Sequence, residues 1–176
     1  NAPSYYRDSC MARNVDFISK TFSNNGKILY CAHNGHVQYG KQLGTKTAGT
    51  FIKEMQKDQF YNIGVEFGEY RFRSLIWSSK DKKYLMNINS ITSLKRNSLG
   101  EDLKGIKGES FYIDFKRSDK DKIFKSLFEQ TKPVFYVGWL FSPGYEKDFY
   151  EKKALSSLYD GLFYIQKSSE TTLIQK

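Results

Sequence analysis

Two histidines, His33 and His36, lie three residues apart in the stretch ILYCAHNGHVQYG, and the chain contains no others. Imidazole changes charge near neutral pH, so a ring fixed by a neighbouring carboxylate can act as a general acid or base. Asn34 stands between the two rings, and Glu66 belongs to a later apolar segment. This pattern favours an acid–base site with His33, His36 and Glu66 as its candidate catalytic residues.

Other chemistries fit the same residues less well. A zinc site usually needs a third protein ligand, which Asp8 or Glu66 would have to supply. The spacing of Cys10 and Cys31 matches no metal or redox motif. Nucleophilic catalysis needs an activated serine or cysteine, and the chain has no Gly-x-Ser-x-Gly elbow. We therefore expect no metal and no cofactor, while histidines that only hydrogen-bond their own loop remain the alternative to catalysis.

Periodicity predicts the elements that would position these residues. The segment KILYCA, residues 27–32, is apolar on both faces, as in a central parallel strand. Residues 47–57 have helical spacing, and FYNIGVEFG, residues 60–68, is the next predicted strand. Strand, helix and strand in this order predict a right-handed parallel crossover. Because ligands bind beyond the carboxyl ends of such strands, we expect the histidines and Glu66 at one sheet edge.

The opening segment, residues 5–22, predicts an amphipathic helix. Its apolar stripe consists of Met11, Val15, Ile18 and Phe22. On a helical wheel, Arg7 and Asn14 fall inside that stripe. A guanidinium on a core-facing surface needs a carboxylate, a carbonyl or a ligand to offset its desolvation. Arg7 is thus a site candidate, and the alternative is a frayed first turn in which it reaches water.

The rest of the chain predicts more strands than helices. Residues 72–77 and 84–91 are predicted strands joined by the basic turn SSKDKK, and residues 97–109 are predicted to be irregular. Further strands are expected at residues 110–115, 133–141 and 158–166, with a helix over residues 119–130. The fold class is therefore α/β, a three-layer mixed sheet with a parallel βαβ core flanked by helices. We expect residues 1–176 to be part of a larger domain.

The net charge of +9, from 28 Lys and Arg against 19 Asp and Glu, would suit an anionic partner if it were concentrated on one face. Between Lys80 and Lys132, however, acids and bases alternate closely, which indicates a mixed, solvated surface. We expect no nucleic acid partner, although a basic nucleic-acid-binding module remains an alternative. We expect no membrane partner either, because the longest apolar runs are too short to span a bilayer. The compartment, cytoplasm or periplasm, stays open.

Four stretches in order resemble the successive motifs of the erythromycin esterase family. They are YYRDSCMARNV, KILYCAHNGHV, AGTFIKEM and YNIGVEFGEYRFRS, between residues 5 and 74. The family pattern is an Arg-Asp-x-x-Met-Ala-x-Asn helix, an Ala-His-Asn-x-His strand end, a Met-Gly-like helix and a Tyr-x-Ile-Gly strand. The closing YDGLFYIQKSSETT also resembles the last strand of the family. Ala48 replaces the usual Met, and Tyr70 stands where relatives commonly have Gly, so the resemblance leaves the substrate open.

The resemblance implies a metal-independent bacterial hydrolase that opens the macrolactone ester of erythromycin-like antibiotics by histidine-assisted attack of water. It implies that the general-base histidine and the glutamates of the family lie in an N-terminal half preceding this C-terminal portion. The expected partners are a small-molecule ester or lactone and that missing half. A catalytically silent family member is the alternative. The implied catalytic residues are His33, His36 and Glu66, and the implied substrate-binding residues are Arg7, Asp8, Asn14 and Asn34.

Overall fold

The structure is a computed structural model, and it describes residues 2–22, 26–118 and 120–172. The chain divides into two compact units. Unit 1 comprises Asn1–Gly64, Ile113–Ser118 and Leu155–Leu162. Unit 2 comprises Val65–Tyr112, Asp119–Ala154 and Phe163–Lys176. None of the helices within the described residues combines the length and the hydropathy that a bilayer crossing requires.

α-Helices and β-strands are interspersed along the described residues. The helices are α1 (Ala2–Phe22), α2 (Asn34–Val37), α3 (Ala48–Gln56), α4 (Leu99–Lys104) and α5 (Lys122–Phe124). The strands are β1 (Lys41–Gln42), β2 (Thr45–Lys46), β3 (Ile63–Ser78), β4 (Lys83–Ile91), β5 (Ser110–Asp114), β6 (Lys132–Phe135), β7 (Tyr150–Lys153) and β8 (Gly161–Lys167).

The largest sheet has four strands in the order β4-β3-β8-β5, and two-stranded sheets pair β1 with β2 and β6 with β7. The basic turn between β3 and β4 closes an antiparallel hairpin in which Ser78 lies opposite Lys83 and Tyr70 lies opposite Ile91. This hairpin agrees with the sequence-based prediction. A mixed sheet of four strands flanked by helices confirms the predicted α/β class.

The strand expected over residues 27–32 does not form in the described chain. Residues 26–33 contain neither helix nor strand, and Leu29 is 88 % exposed. None of the described strands pairs with this segment. An apolar pattern on both faces predicts burial between layers, but it does not identify which other segment supplies those layers. The segment therefore has no regular secondary structure, and it leads directly into the loop that carries the histidines.

Two local predictions need correction. Residues 97–109 are irregular only in part, because α4 (Leu99–Lys104) begins after Ser98, whose hydroxyl accepts a hydrogen bond from the Glu101 N–H at 3.4 Å. This Ser-x-x-Glu signature outweighs the nearby glycines. The segments 60–68 and 72–77 are not two strands, because β3 runs through both as one strand of 16 residues. In contrast, α1, α3, β4, β5 and β8 lie close to their predicted positions.

Each unit has its own buried packing. In unit 1, α1 packs against α3, and Ala12, Ala48 and Ile52 are almost fully buried. In unit 2, a hydrophobic cluster is built on aromatic and branched residues that are each at most 8 % exposed. Its members are Tyr70, Ile91, Leu94, Phe135 and Phe141. Small residues on α1 and α3 let the two helix backbones approach closely, which places polar groups of both helices within hydrogen-bonding distance.

Candidate active site

The histidine loop, residues 33–38, is organised by its own backbone around the single turn of α2. His33 is the N-cap of this turn, and its Nδ1 accepts a hydrogen bond from the Gly35 N–H at 3.2 Å. The backbone oxygen of His33 accepts a second bond from the His36 N–H at 2.8 Å. Because Nδ1 is an acceptor here, a neutral His33 carries its ring proton on Nε2.

His36 is paired with Asp8 of α1. Nδ1 of His36 lies 2.8 Å from Oδ1 of Asp8, and the other carboxylate oxygen accepts the Ala48 N–H at 3.1 Å. Asp8 is buried, whereas the side chain of His36 is 26 % exposed. An ionised carboxylate can only accept hydrogen bonds, so Nδ1 of His36 is the donor. This arrangement leaves the Nε2 lone pair available for a proton.

The position of Asp8 follows from the helix packing. Ala48 is the first residue of α3, and its N–H is one of the amides that a helix N-terminus leaves without an intrahelical acceptor. A carboxylate at this end is favoured by the helix dipole. Asp8 therefore accepts a hydrogen bond from an otherwise unpaired N–H at the start of α3 and also holds the imidazole of His36. Such a carboxylate–histidine pair sets ring orientation and tautomer, which is the requirement for a general base.

Helix α3 also holds the loop backbone. Thr47, the N-cap of α3, donates its hydroxyl to the backbone oxygen of Gln38 at 2.5 Å. A side chain at Gly49 would place its Cβ 1.7 Å from the backbone oxygen of Val37. Only glycine permits the helix to lie this close to the loop. The backbone of the histidine loop is therefore in direct contact with α3, whose first N–H donates to Asp8.

A second hydrogen-bond network, built on Asn62 and Asp160, also supports the histidine loop. The Asn62 side chain donates to the backbone oxygen of Val37 at 2.6 Å, and its backbone N–H donates to Asp160 at 2.9 Å. Asp160 also accepts the Tyr39 hydroxyl at 2.5 Å and forms an ion pair with Lys116 at 3.0 Å. Burial alone would raise the pKa of Asp160, but these hydrogen bonds together lower it.

Asn62 and Asp160 are not among the residues singled out from the sequence. Each lies nevertheless in a stretch that resembles a family motif, YNIG for Asn62 and YDGLFYIQ for Asp160. Both are buried polar residues, exposed by only 3 % and 6 %. A signal for Asn62 and Asp160 is present in the sequence, because each is a polar residue near the start of a predicted apolar strand, 60–68 and 158–166.

Arg7 and Asn14 do not lie on the inner face of α1, so this prediction is wrong. Both residues are exposed. Asp8 and Ala12 occupy the buried face instead, while Ile18 and Phe22 of the expected stripe are 44 % and 69 % exposed. The assumed stripe was centred on large apolar residues, and the real contact with α3 is built on a small residue and a paired carboxylate. Arg7 therefore faces solvent beside the Asp8–His36 pair.

The described residues contain no group of three or more His, Cys, Asp or Glu side chains arranged to hold a metal ion. Cys10 and Cys31 are free thiols, and Cys31 is exposed. Asn34 is half-buried, and its backbone oxygen accepts the Tyr159 hydroxyl at 3.3 Å. Of the sequence-predicted residues, unit 1 thus contains Arg7, Asp8, Asn14, His33, Asn34 and His36, and it brings Asp8 and His36 into direct contact.

A family model described as erythromycin esterase matches residues 1–168. The chain belongs to the erythromycin esterase family. A curated relative from Bacillus subtilis (strain 168), named "Putative hydrolase YbfO", is 23 % identical over 179 residues. That match covers 97 % of this chain and 36 % of the relative.

Solved crystal structures share the erythromycin esterase-like fold. A Bacillus cereus protein matches with a TM-score of 0.74 and 22 % identity, covering 94 % of this chain and 39 % of that chain. A succinoglycan biosynthesis protein matches with a TM-score of 0.70 and 19 % identity, covering 90 % of this chain and 37 % of that chain. A mutant of the erythromycin esterase EreC in its open conformation matches with a TM-score of 0.62 and 14 % identity, covering 98 % of this chain and 39 % of that chain. The chain therefore spans 36–39 % of the length of these four relatives.

Glu66, the remaining predicted site residue, belongs to unit 2 of this erythromycin esterase family chain. Its side chain is buried, and Oε1 accepts the hydroxyl of Tyr70 at 2.6 Å. Burial raises the pKa of Glu66 to about 8, although the Tyr70 bond opposes this effect. Tyr70, a departure from the family pattern, is itself part of the unit 2 core. The expected role of Glu66 stays a prediction, because the contacts that the structure gives for it lie within unit 2.

Proposed function

We propose that the chain carries the histidine-bearing part of a hydrolytic site, which directs water onto the carbonyl carbon of an ester or macrolactone. Membership of the erythromycin esterase family and the similarity to a relative titled as a hydrolase support a hydrolase-like function. The observation that carries the proposal is the 2.8 Å contact between Asp8 and Nδ1 of His36. Because the chain spans 36–39 % of its relatives, hydrolysis by the whole protein is part of the proposal.

The proposed mechanism uses His36 as the proton carrier, a role that the resemblance gives to a histidine of the missing N-terminal half, because Asp8 orients the His36 ring. Asp8 holds the ring so that the Nε2 lone pair accepts a proton from water while the water oxygen bonds to the carbonyl carbon. The imidazolium is stabilised by the adjacent carboxylate. When the bond between the carbonyl carbon and the ester oxygen breaks, the imidazolium returns its proton to the leaving alkoxide. The products are then a carboxylic acid and an alcohol, which in a macrolactone are the two ends of the opened ring.

The other predicted residues have supporting roles in this proposal. His33 and Asn34 orient the water or the carbonyl group from the same loop as His36. The exposed guanidinium of Arg7 offers positive charge for a carboxylate or an oxyanion, and Asn14 adds a polar group on the same helix. Glu66 belongs to unit 2, and its role as an acid partner stays a sequence-based prediction through which the proposed mechanism takes no step.

The proposal is tested by measuring hydrolysis of p-nitrophenyl butyrate and of erythromycin by the purified chain and by two variants. His36→Asn removes the proton acceptor and is expected to lower the rate by about a hundredfold or more. Asp8→Asn leaves the shape of the contact but no longer fixes the tautomer. It is expected to lower the rate strongly and to change its dependence on pH.

Lys20→Gln is the matched control, because Lys20 is on the same helix as Asp8 and its side chain is 72 % exposed. Its rate should equal that of the unaltered chain. Equal rates for His36→Asn and the unaltered chain, with both folded, would remove His36 from the mechanism. Absence of turnover of either ester by the unaltered chain would contradict hydrolysis by this chain on its own.

A further inference from the structure

The hydroxyl of Tyr30 is the feature of unit 1 that the contacts above leave unexplained. Among the described residues, it is the buried side-chain polar atom for which no hydrogen-bond partner is present. Buried tyrosine hydroxyls usually have a partner, because a desolvated O–H without an acceptor is destabilising. Phenylalanine would fill the same space without this penalty. The packing of the described residues therefore gives no reason for a hydroxyl at this position.

The surroundings of Tyr30 connect it to the candidate site. Tyr30 lies in the extended segment three residues before His33, and its hydroxyl interacts electrostatically with Asp8 and Arg7. Burial has the largest effect on the pKa of this phenol and raises it, Asp8 raises it further, and Arg7 lowers it. The phenol therefore stays protonated at neutral pH and acts as a hydrogen-bond donor. Its charged neighbours are the carboxylate that orients His36 and an exposed guanidinium.

We propose that Tyr30 is a further substrate-binding residue, whose O–H donates a hydrogen bond to the carbonyl oxygen of the ester. This inference rests on the hydrolytic function proposed above. As the water oxygen bonds to the carbonyl carbon, an electron pair moves onto the carbonyl oxygen, and a donor positioned there stabilises the negative charge. Tyr30 loses no proton in this step. The proton of the water goes to Nε2 of His36 and then to the leaving alkoxide.

A structural role for the same hydroxyl leads to the opposite expectation. If the hydroxyl bonds to Asp8 or to a bound water in the folded chain, Tyr30→Phe removes a stabilising interaction. If the hydroxyl is reserved for a ligand, Tyr30→Phe removes a destabilising group from the ligand-free chain and a donor from the liganded chain. Stability without ligand and affinity for ligand should then change in opposite directions.

The first measurement is the unfolding of unit 1 in the ligand-free chain. Urea titration can be followed through the ring signals of His33 and His36 by NMR, since both histidines lie in unit 1. Tyr30→Phe is expected to lower the unfolding equilibrium constant about tenfold. Tyr6→Phe, at a position 69 % exposed in the same unit, is the matched control and should stay within about twofold. A raised unfolding constant for Tyr30→Phe would overturn the inference.

The second measurement is the binding of phenyl methylphosphonate, a stable tetrahedral anion that resembles the intermediate of ester hydrolysis. Binding is followed by the shift of the His36 ring signal. Tyr30→Phe is expected to weaken binding about tenfold, as for the loss of one hydrogen bond to a charged group. Tyr6→Phe should bind as the unaltered chain does.

His36→Asn separates this inference from the proposed function, with binding then followed by isothermal titration calorimetry. If His36→Asn weakens phosphonate binding and Tyr30→Phe does not, Tyr30 is not a substrate-binding residue, and the function is unaffected. If neither variant weakens binding, both the inference and the role of His36 are contradicted. If the unaltered chain binds no phosphonate, the inference about Tyr30 fails, and the hydrolysis rates alone decide the function.

Discussion

Replacing Glu66 by glutamine should make unit 2 less sensitive to pH. Burial raises the pKa of Glu66 to about 8 from the ordinary value of 4.5. Between these two values, the folded chain holds a proton that the unfolded chain releases. The free energy of unfolding should therefore decrease as the pH rises from about 4.5 to about 8. The carboxamide of the Glu66→Gln variant would keep an oxygen that accepts the Tyr70 hydroxyl, and it has no proton to lose in this pH range.

The expected magnitude follows from the width of this pH window. Each pH unit inside it changes the stability by about 1.4 kcal/mol. Between about pH 5.5 and about pH 7.5, the unaltered chain should therefore lose roughly 2 to 3 kcal/mol relative to Glu66→Gln. The two chains should have similar stability below about pH 4.5, where the folded and the unfolded chain both hold the proton, because a neutral carboxyl and a carboxamide are nearly isosteric. At the upper pH, the glutamine variant should be the more stable one.

The assay is equilibrium unfolding in urea, followed by tryptophan fluorescence. Both tryptophans, Trp77 and Trp139, lie in unit 2 with Glu66, so the signal reports on the correct unit. Glu69→Gln is the matched control on the same strand: desolvation alone would raise the pKa of Glu69, but Lys167 and Lys104 together lower it. Its difference from the unaltered chain should be constant over this pH range. A constant difference for Glu66→Gln as well would refute the raised pKa and the protonated carboxyl.

The remaining predictions concern the support of the histidine loop. Gly49→Ala should destabilise unit 1 by at least about 3 kcal/mol, because its Cβ would meet the backbone of Val37. Gly105→Ala, with open space around its Cβ, should change the stability of unit 2, followed by tryptophan fluorescence, by less than about 0.5 kcal/mol. Tyr39→Phe should cost about 1.5 to 3 kcal/mol by removing a donor to a carboxylate. It should also raise the pKa of Asp160, so that acid unfolding of unit 1 begins at a higher pH. Urea and acid titrations followed by histidine NMR check both, and unchanged midpoints would contradict the described contacts.

Local patterns were sufficient for much of the fold. The helices α1 and α3 follow from the helical spacing of apolar residues within each segment. The turn between β3 and β4 follows from its own polar residues. The segment 27–32 behaves differently, because its apolar character reports burial on two sides and the burying layers come from elsewhere in sequence. Helix α4 was missed because one capping residue, Ser98, determines its start against two glycines.

The candidate site was predictable in its residue types and less so in its geometry. The histidine pair and its loop follow from sequence alone, but the partner of His36 is 28 residues away and depends on how α1 packs. A helical wheel shifted by one residue exchanges Arg7 for Asp8 on the inner face. Large apolar residues such as Phe22 cause that shift, because hydrophobicity alone does not imply burial and Phe22 is 69 % exposed.

The close approach of α3 to the histidine loop at Gly49 also limits how such a protein can diverge. Any side chain at this position would displace the loop, so descendants that retain the chemistry should retain glycine there. Neighbouring exposed positions such as Arg7 and Leu29 carry no such steric limit. Sequence change should therefore be tolerated at the exposed side chains of unit 1, while the close contact between the loop and α3 is retained.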